Sequence, residues 1–116
     1  MHYRQAPVWQ NAMLLAEAAC RLAATLPSQE RYTVRPQIIR AAVSVASNIA
    51  EGWARESVRE KSHFLAVAQG SLAELTTQLI LCRRLGWGDP ESFERIAALE
   101  SDTGRMLTAL RRHFRR

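Results

Sequence analysis

Apolar residues recur at three- and four-residue intervals along almost the whole chain, and they fall into four blocks. Val8, Ala12, Leu15, Ala19, Leu22 and Leu26 make the first. This is one face of an α-helix, predicted over about residues 7–25, with Pro7 in the first turn where its missing N–H has no partner to lose. The segment LPSQERYTV, residues 26–34, breaks the pattern, and Pro36 opens a second helix predicted over 36–53 and closed by Gly52. Ser57 and Glu60 have the spacing of a capping box for a third helix, predicted over 57–85, which carries Phe64, Ala68, Leu72, Leu75, Leu79 and Cys82 on one side. Gly86 ends it, with Trp87 placed for the apolar contact of a Schellman motif. Asp89 and Pro90 are an N-cap and first-turn pair for a fourth helix over 90–114, with Phe93, Ile96, Leu99, Thr103, Leu107, Leu110 and Phe114 as its stripe. No alternating strand pattern competes.

Helices of these lengths are roughly 27 to 42 Å long, and connections this short force neighbours to run antiparallel. The expected fold is all-α: an antiparallel up-down-up-down four-helix bundle forming one domain over residues 1–116. The second helix carries more apolar surface than one core uses. Ile38, Ile39, Ala42, Val43, Val45, Ala46, Ile49 and Ala50 cover too much of its circumference, which predicts self-association.

Composition narrows the function classes. The chain has 116 residues, 47% apolar and 23% charged, with five Gly and four Pro, the profile of a globular helical protein. No apolar run comes near the roughly 20 residues of a bilayer span, and the N-terminus MHYRQAPVWQ has no secretory pattern, so a cytoplasmic protein without a membrane association is expected. Cys20 and Cys82 sit among apolar helix positions and read as small buried hydrophobes. No Ser-His-Asp order, Gly-rich phosphate loop or paired CxxC is present, so neither catalytic residues nor a cofactor is expected. Glu60 and His63 form one Glu-x-x-His element, but the second copy that a di-iron bundle needs is missing, so no metal site is expected.

Two segments combine small residues with polar ones: RAAVSVASNIAEG, residues 40–52, and FLAVAQGSLAEL, residues 64–75. Arg40, Ser44, Asn48 and Glu51 follow one side of the second helix, while Ser71 and Glu74 stand three apart on the third. The expectation is a structural polar network between two closely packed helices, with Arg40 paired to Glu74 and Asn48 bonded to the serines. A network of this kind returns register and specificity when every member is paired. Trp9, Trp53 and Trp87 read as packing anchors near helix ends; an exposed Trp53 beside Arg55 would offer a base-stacking surface.

These same segments resemble the four-helix-bundle family of 23S rRNA intervening-sequence proteins, which is similar to the accessory variability determinant of diversity-generating retroelements. Arg40, Ala41, Ser44, Asn48, Ile49, Glu51 and Gly52, with Gly70, Ser71, Glu74 and Leu79, carry the resemblance, which extends from Glu30 through Leu110. It implies a homopentameric ring and, in the retroelement branch, a basic surface that binds nucleic acid and the reverse transcriptase. Gln69 departs from an arginine found in many relatives, which puts any nucleic-acid contact at that position in doubt.

The charge is +5, with fifteen Arg and a single Lys. Arginine suits bidentate phosphate contacts, although a GC-rich genome produces the same bias. In the bundle topology the end holding both termini collects Arg4, Arg55, Arg59, Lys61, Arg111, Arg112, Arg115 and Arg116 against Glu51, Glu56 and Glu60. The waist is mildly acidic. The expected function is therefore a non-enzymatic, oligomeric nucleic-acid-binding accessory protein, for RNA before DNA. Its phosphate contacts are Arg55, Arg59, Lys61, Arg111, Arg112, Arg115 and Arg116, with Arg83 and Arg84 as a secondary patch. The alternative is a scaffold that recruits a protein partner, such as a reverse transcriptase or an RNA-bearing protein.

Overall fold

In the computed structural model, which describes residues 1–115, four helices run up, down, up and down: α1 (Pro7–Ala24), α2 (Val34–Ala54), α3 (Val58–Arg84) and α4 (Pro90–Phe114). Short 3-10 turns at Tyr3–Gln5 and Ser28–Glu30 precede α1 and α2. The longest dimension, 44 Å, is close to the length of α3 alone, so the helices lie nearly side by side. α2 and α3 form the most extensive pairing, with α1 against α2 and α4, and α3 against α4.

Local signals set most of the boundaries. Ser57 Oγ accepts from the Glu60 amide at 3.1 Å and caps α3, and Asp89 Oδ2 accepts from the Ser92 amide at 3.2 Å and caps α4. At the other end of α3, Gly86 adopts φ +76°, its N–H donates to the Arg83 carbonyl, and the Trp87 N–H donates to the Cys82 carbonyl. These two bonds define the expected Schellman ending. The start of α2 differs from expectation. It lies at Val34, two residues before Pro36, because a proline in the first turn removes an N–H that has no intrahelical acceptor.

The core follows the predicted stripes with two adjustments. The five stripe positions within α1 and Leu26 just beyond it are all buried, and Leu65, Ala68, Leu72, Leu75, Leu79 and Cys82 supply α3. Leu65 takes the place expected of Phe64, which moves to the rim under the Arg55 guanidinium, 4.7 Å away. On α2, Ile38, Ala42, Val45, Ala46 and Ile49 face inward, whereas Ile39 and Val43 remain 40% and 47% exposed, so the surplus apolar surface read from the sequence lies on the outside. By length and composition α3 is apolar enough to cross a bilayer, contrary to the sequence expectation, yet its leucine stripe is used by the bundle core.

Candidate nucleic-acid interface

The turn between α2 and α3 shows how the predicted cations are placed. α3 approaches α2 so closely at Gly52 that a Cβ there would lie 3.2 Å from the Lys61 carbonyl oxygen and 3.3 Å from Phe64 Cβ. This proximity lets Lys61 reach back: its Nζ donates to the Trp53 carbonyl at 2.9 Å and approaches that of Gly52 at 3.5 Å, satisfying the last carbonyls of α2. The ammonium also lies 5.8 Å from the Phe114 ring, which ties the α2–α3 turn to the end of α4. Arg55 is held between Glu51, at 3.4 Å, and Glu60, at 3.5 Å. Arg55 and Lys61, both expected as phosphate contacts, are thus half-buried and occupied with the protein's own carboxylates and carbonyls.

The remaining cations at this end are disposed differently. Arg59, Arg112 and Arg115 are exposed and make no ion pair among the described residues. Arg111 is half-buried and aimed by a short relay: its Nη1 donates to Gln69 Oε1 at 2.7 Å, Gln69 Nε2 donates to Thr108 Oγ1 at 3.2 Å, and Thr108 donates to the Gly104 carbonyl at 2.9 Å. Gln69 therefore has a role in this chain as the residue that positions Arg111. Arg116 lies outside the described residues. Arg83 and Arg84 are exposed in the last turn of α3, about 38 Å along the helix from Arg59, so they form a separate patch.

The polar network is smaller than expected. Ser44 Oγ and Ser71 Oγ are 2.7 Å apart across the α2–α3 seam, and Asn48 Nδ2 donates to both the Ser44 hydroxyl and carbonyl, at 2.9 and 2.8 Å. Arg40, Glu51 and Glu74 stay outside it. Arg40 and Glu74 are exposed and form no ion pair, correcting the expected link between them, and Glu51 turns instead to Arg55. They share a side of their helices with Ser44, Asn48 and Ser71, but their own positions are exposed to water, where a lone ion pair contributes little.

A second polar contact carried no strong sequence signal. Asn11 Nδ2 donates to Thr103 Oγ1 at 2.8 Å and to the Leu99 carbonyl at 3.1 Å, joining α1 to α4 around a fully buried threonine. Trp53 is half-buried against the core and its indole N–H donates to the Met1 carbonyl at 2.9 Å, so it anchors the N-terminal segment. Among the described residues no cluster of His, Cys, Asp and Glu is arranged to hold a metal.

These features define the class: an antiparallel four-helix bundle with a small hydroxyl–amide seam between its second and third helices and a basic end formed by α3 and α4. Residues 4–109 match the family described as 23S rRNA-intervening sequence protein, and the chain belongs to that family. No curated protein matches the sequence. A crystal structure of a Bacteroides thetaiotaomicron protein of unknown function from the S23 ribosomal protein family superposes with a TM-score of 0.81. It is 22% identical, covering 89% of this chain and 96% of that one, a likeness of fold.

Proposed function

We propose that the protein is a non-enzymatic homo-oligomer that binds nucleic acid, RNA in preference to DNA, through the α3–α4 end of the bundle. The observation that carries this reading is the division of labour among the cations. Arg55 and Lys61 satisfy internal groups, whereas Arg59, Arg112 and Arg115 have no carboxylate partner among the described residues and Arg111 is aimed by Gln69. Arginines of this kind suit phosphate oxygens. Membership of a family named for an rRNA insertion, and the resemblance to retroelement accessory proteins, favour an RNA ligand. Assembly into a ring, a pentamer by resemblance, would repeat this basic end around an axis and strengthen its field.

The test is an RNA filter-binding titration across salt. Binding should weaken steeply as salt rises, with little dependence on sequence, because phosphate neutralisation releases counterions. Replacing Arg59, Arg112 and Arg115 together with Ser should abolish most of it, whereas Arg55→Ser should act mainly on stability. No binding at low salt, or binding indifferent to the triple replacement, would overturn the proposal. Light scattering should report a multiple of 13.1 kDa, and a monomer at micromolar concentration would remove the ring.

A further inference from the structure

Ile39 and Val43 lie one turn apart on the outer side of α2, and Pro36 precedes them on the same face, so the three form a ridge with helical spacing. The groove along this ridge is rimmed by Arg31, Arg35 and Arg40. No Asp or Glu lines it. Arg31 and Arg40 are exposed and make no ion pair among the described residues. Arg35 is fixed in direction because its Nη2 donates to the Leu26 carbonyl. The nearest carboxylate in sequence to Arg31, Glu30, accepts from the Thr33 hydroxyl.

We propose that this face of α2 is a docking surface for an acidic amphipathic helix from a protein partner, with apolar residues on Pro36, Ile39 and Val43 and carboxylates on Arg31, Arg35 and Arg40. Charge complementarity selects the occupant's sign: three arginines without a counter-carboxylate around an apolar floor call for an anionic rim around an apolar stripe. The floor selects its class. Branched aliphatic side chains at i, i+4 interlock with the side-chain ridges of another helix, whereas single-stranded nucleic acid stacks on aromatic rings. Tyr32, the exposed aromatic nearby, is not among the groove residues. The surface is on a different helix from the α3–α4 arginines and stands independently of nucleic-acid binding there. Because it assigns to a partner the ridge from which self-association was expected, copies of the chain meet through other exposed apolar residues, such as Ile80 and Leu81 of α3.

The experiment uses the full chain and a fluorescein-labelled helical peptide with Leu at i, i+3, i+4 and i+7 flanked by Glu, read by anisotropy. Control peptides replace Glu by Lys or Leu by Ser, and a labelled oligouridylate is the nucleic-acid control. The acidic leucine peptide should bind in preference to all three, and Ile39→Ser with Val43→Ser should weaken it about tenfold or more, as expected for losing branched side chains from an interface. Arg31→Glu with Arg40→Glu should exchange the preference to the lysine peptide. This second outcome cannot come from unfolding. The proposal is overturned by an absent preference for the acidic peptide, by binding unchanged in both variants, or by oligouridylate binding that depends on these same residues. It is equally overturned if the serine variants lower the mass of the free chain while peptide binding is unaffected, since the ridge would then be a contact between copies.

Discussion

Ser44 and Ser71 place their hydroxyl oxygens 2.7 Å apart between α2 and α3, and Asn48 donates to the first of them from one turn away. This is a complete small network at the most extensive helix pairing in the bundle. Removing one partner costs the other hydroxyl this bond in a half-buried site, whereas removing both leaves neither hydroxyl to be satisfied. Ser44→Ala and Ser71→Ala should therefore each cost about 1 kcal/mol in urea unfolding, and the double variant clearly less than their sum. Strict additivity would mean that the two hydroxyls are not coupled.

Glu100 is half-buried in the α3–α4 groove, where it accepts from the Thr76 hydroxyl and shares the surroundings with Arg105 and Arg112. Burial pushes its carboxyl above the usual carboxylate range, and the Thr76 hydrogen bond offsets part of this. A raised carboxylate pKa means that the folded state binds more protons than the unfolded chain in the window between the two values. Stability then falls as pH rises through that window, and the full penalty is present above it. Glu100→Gln keeps an acceptor for Thr76 and removes the charge. Its melting temperature should match the parent's at acidic pH and exceed it at pH 7. Equal melting temperatures at both pH values would show that ionising this carboxyl is not penalised.

The elements that were legible before the structure are those whose signals are local. Ser57, Gly86 and Asp89 act on amides or carbonyls within a few residues of themselves, so the ends of α3 and the start of α4 follow from short sequence patterns. The choice between Phe64 and Leu65 for the core was not local. Both fit a helical stripe and both lie against Gly52 of α2, and the rotation of α3 in the assembled bundle turns Leu65 inward. The candidate interface was legible as an accumulation of charge at one end and illegible as individual roles. Whether Lys61 meets phosphate or the carbonyls of Gly52 and Trp53 depends on how two helices meet, which spacing along the chain does not encode. Likewise Arg40 and Glu74 have compatible heights on neighbouring helices, but their rotation toward water is set by which residues fill the core.

The two cysteines differ in surroundings but should both react slowly. Burial raises the Cys20 thiol, and burial followed by the Glu30 charge raises the fully buried Cys82 thiol. The thiolate is the nucleophile, so a raised pKa and restricted access act in the same direction. In native buffer near pH 7.5, iodoacetamide should modify Cys82 only at the rate of unfolding, and Cys20 more slowly than a free thiol. Rapid labelling of Cys82 without denaturant would mean that α3 opens readily at its C-terminal end.

Gly70 and Gly88 should respond in opposite directions to the same added methyl group. Gly88 has φ +89°, and a Cβ built on it would lie 2.8 Å from Leu22 Cδ1 and 2.9 Å from Phe93 Cε2. Alanine there meets a disfavoured backbone conformation and forces two buried core side chains to shift, and should cost about 2 kcal/mol or more. Gly70 lies in the interior of α3 with nothing within 4 Å of a Cβ. Alanine at this exposed helical site should stabilise the isolated chain by about 0.5 to 1 kcal/mol through its higher helix propensity. Paired urea melts at low protein concentration measure both effects directly. Destabilisation by Gly70→Ala that grows with protein concentration would place another molecule's atoms against this glycine, because nothing within the chain opposes the methyl group.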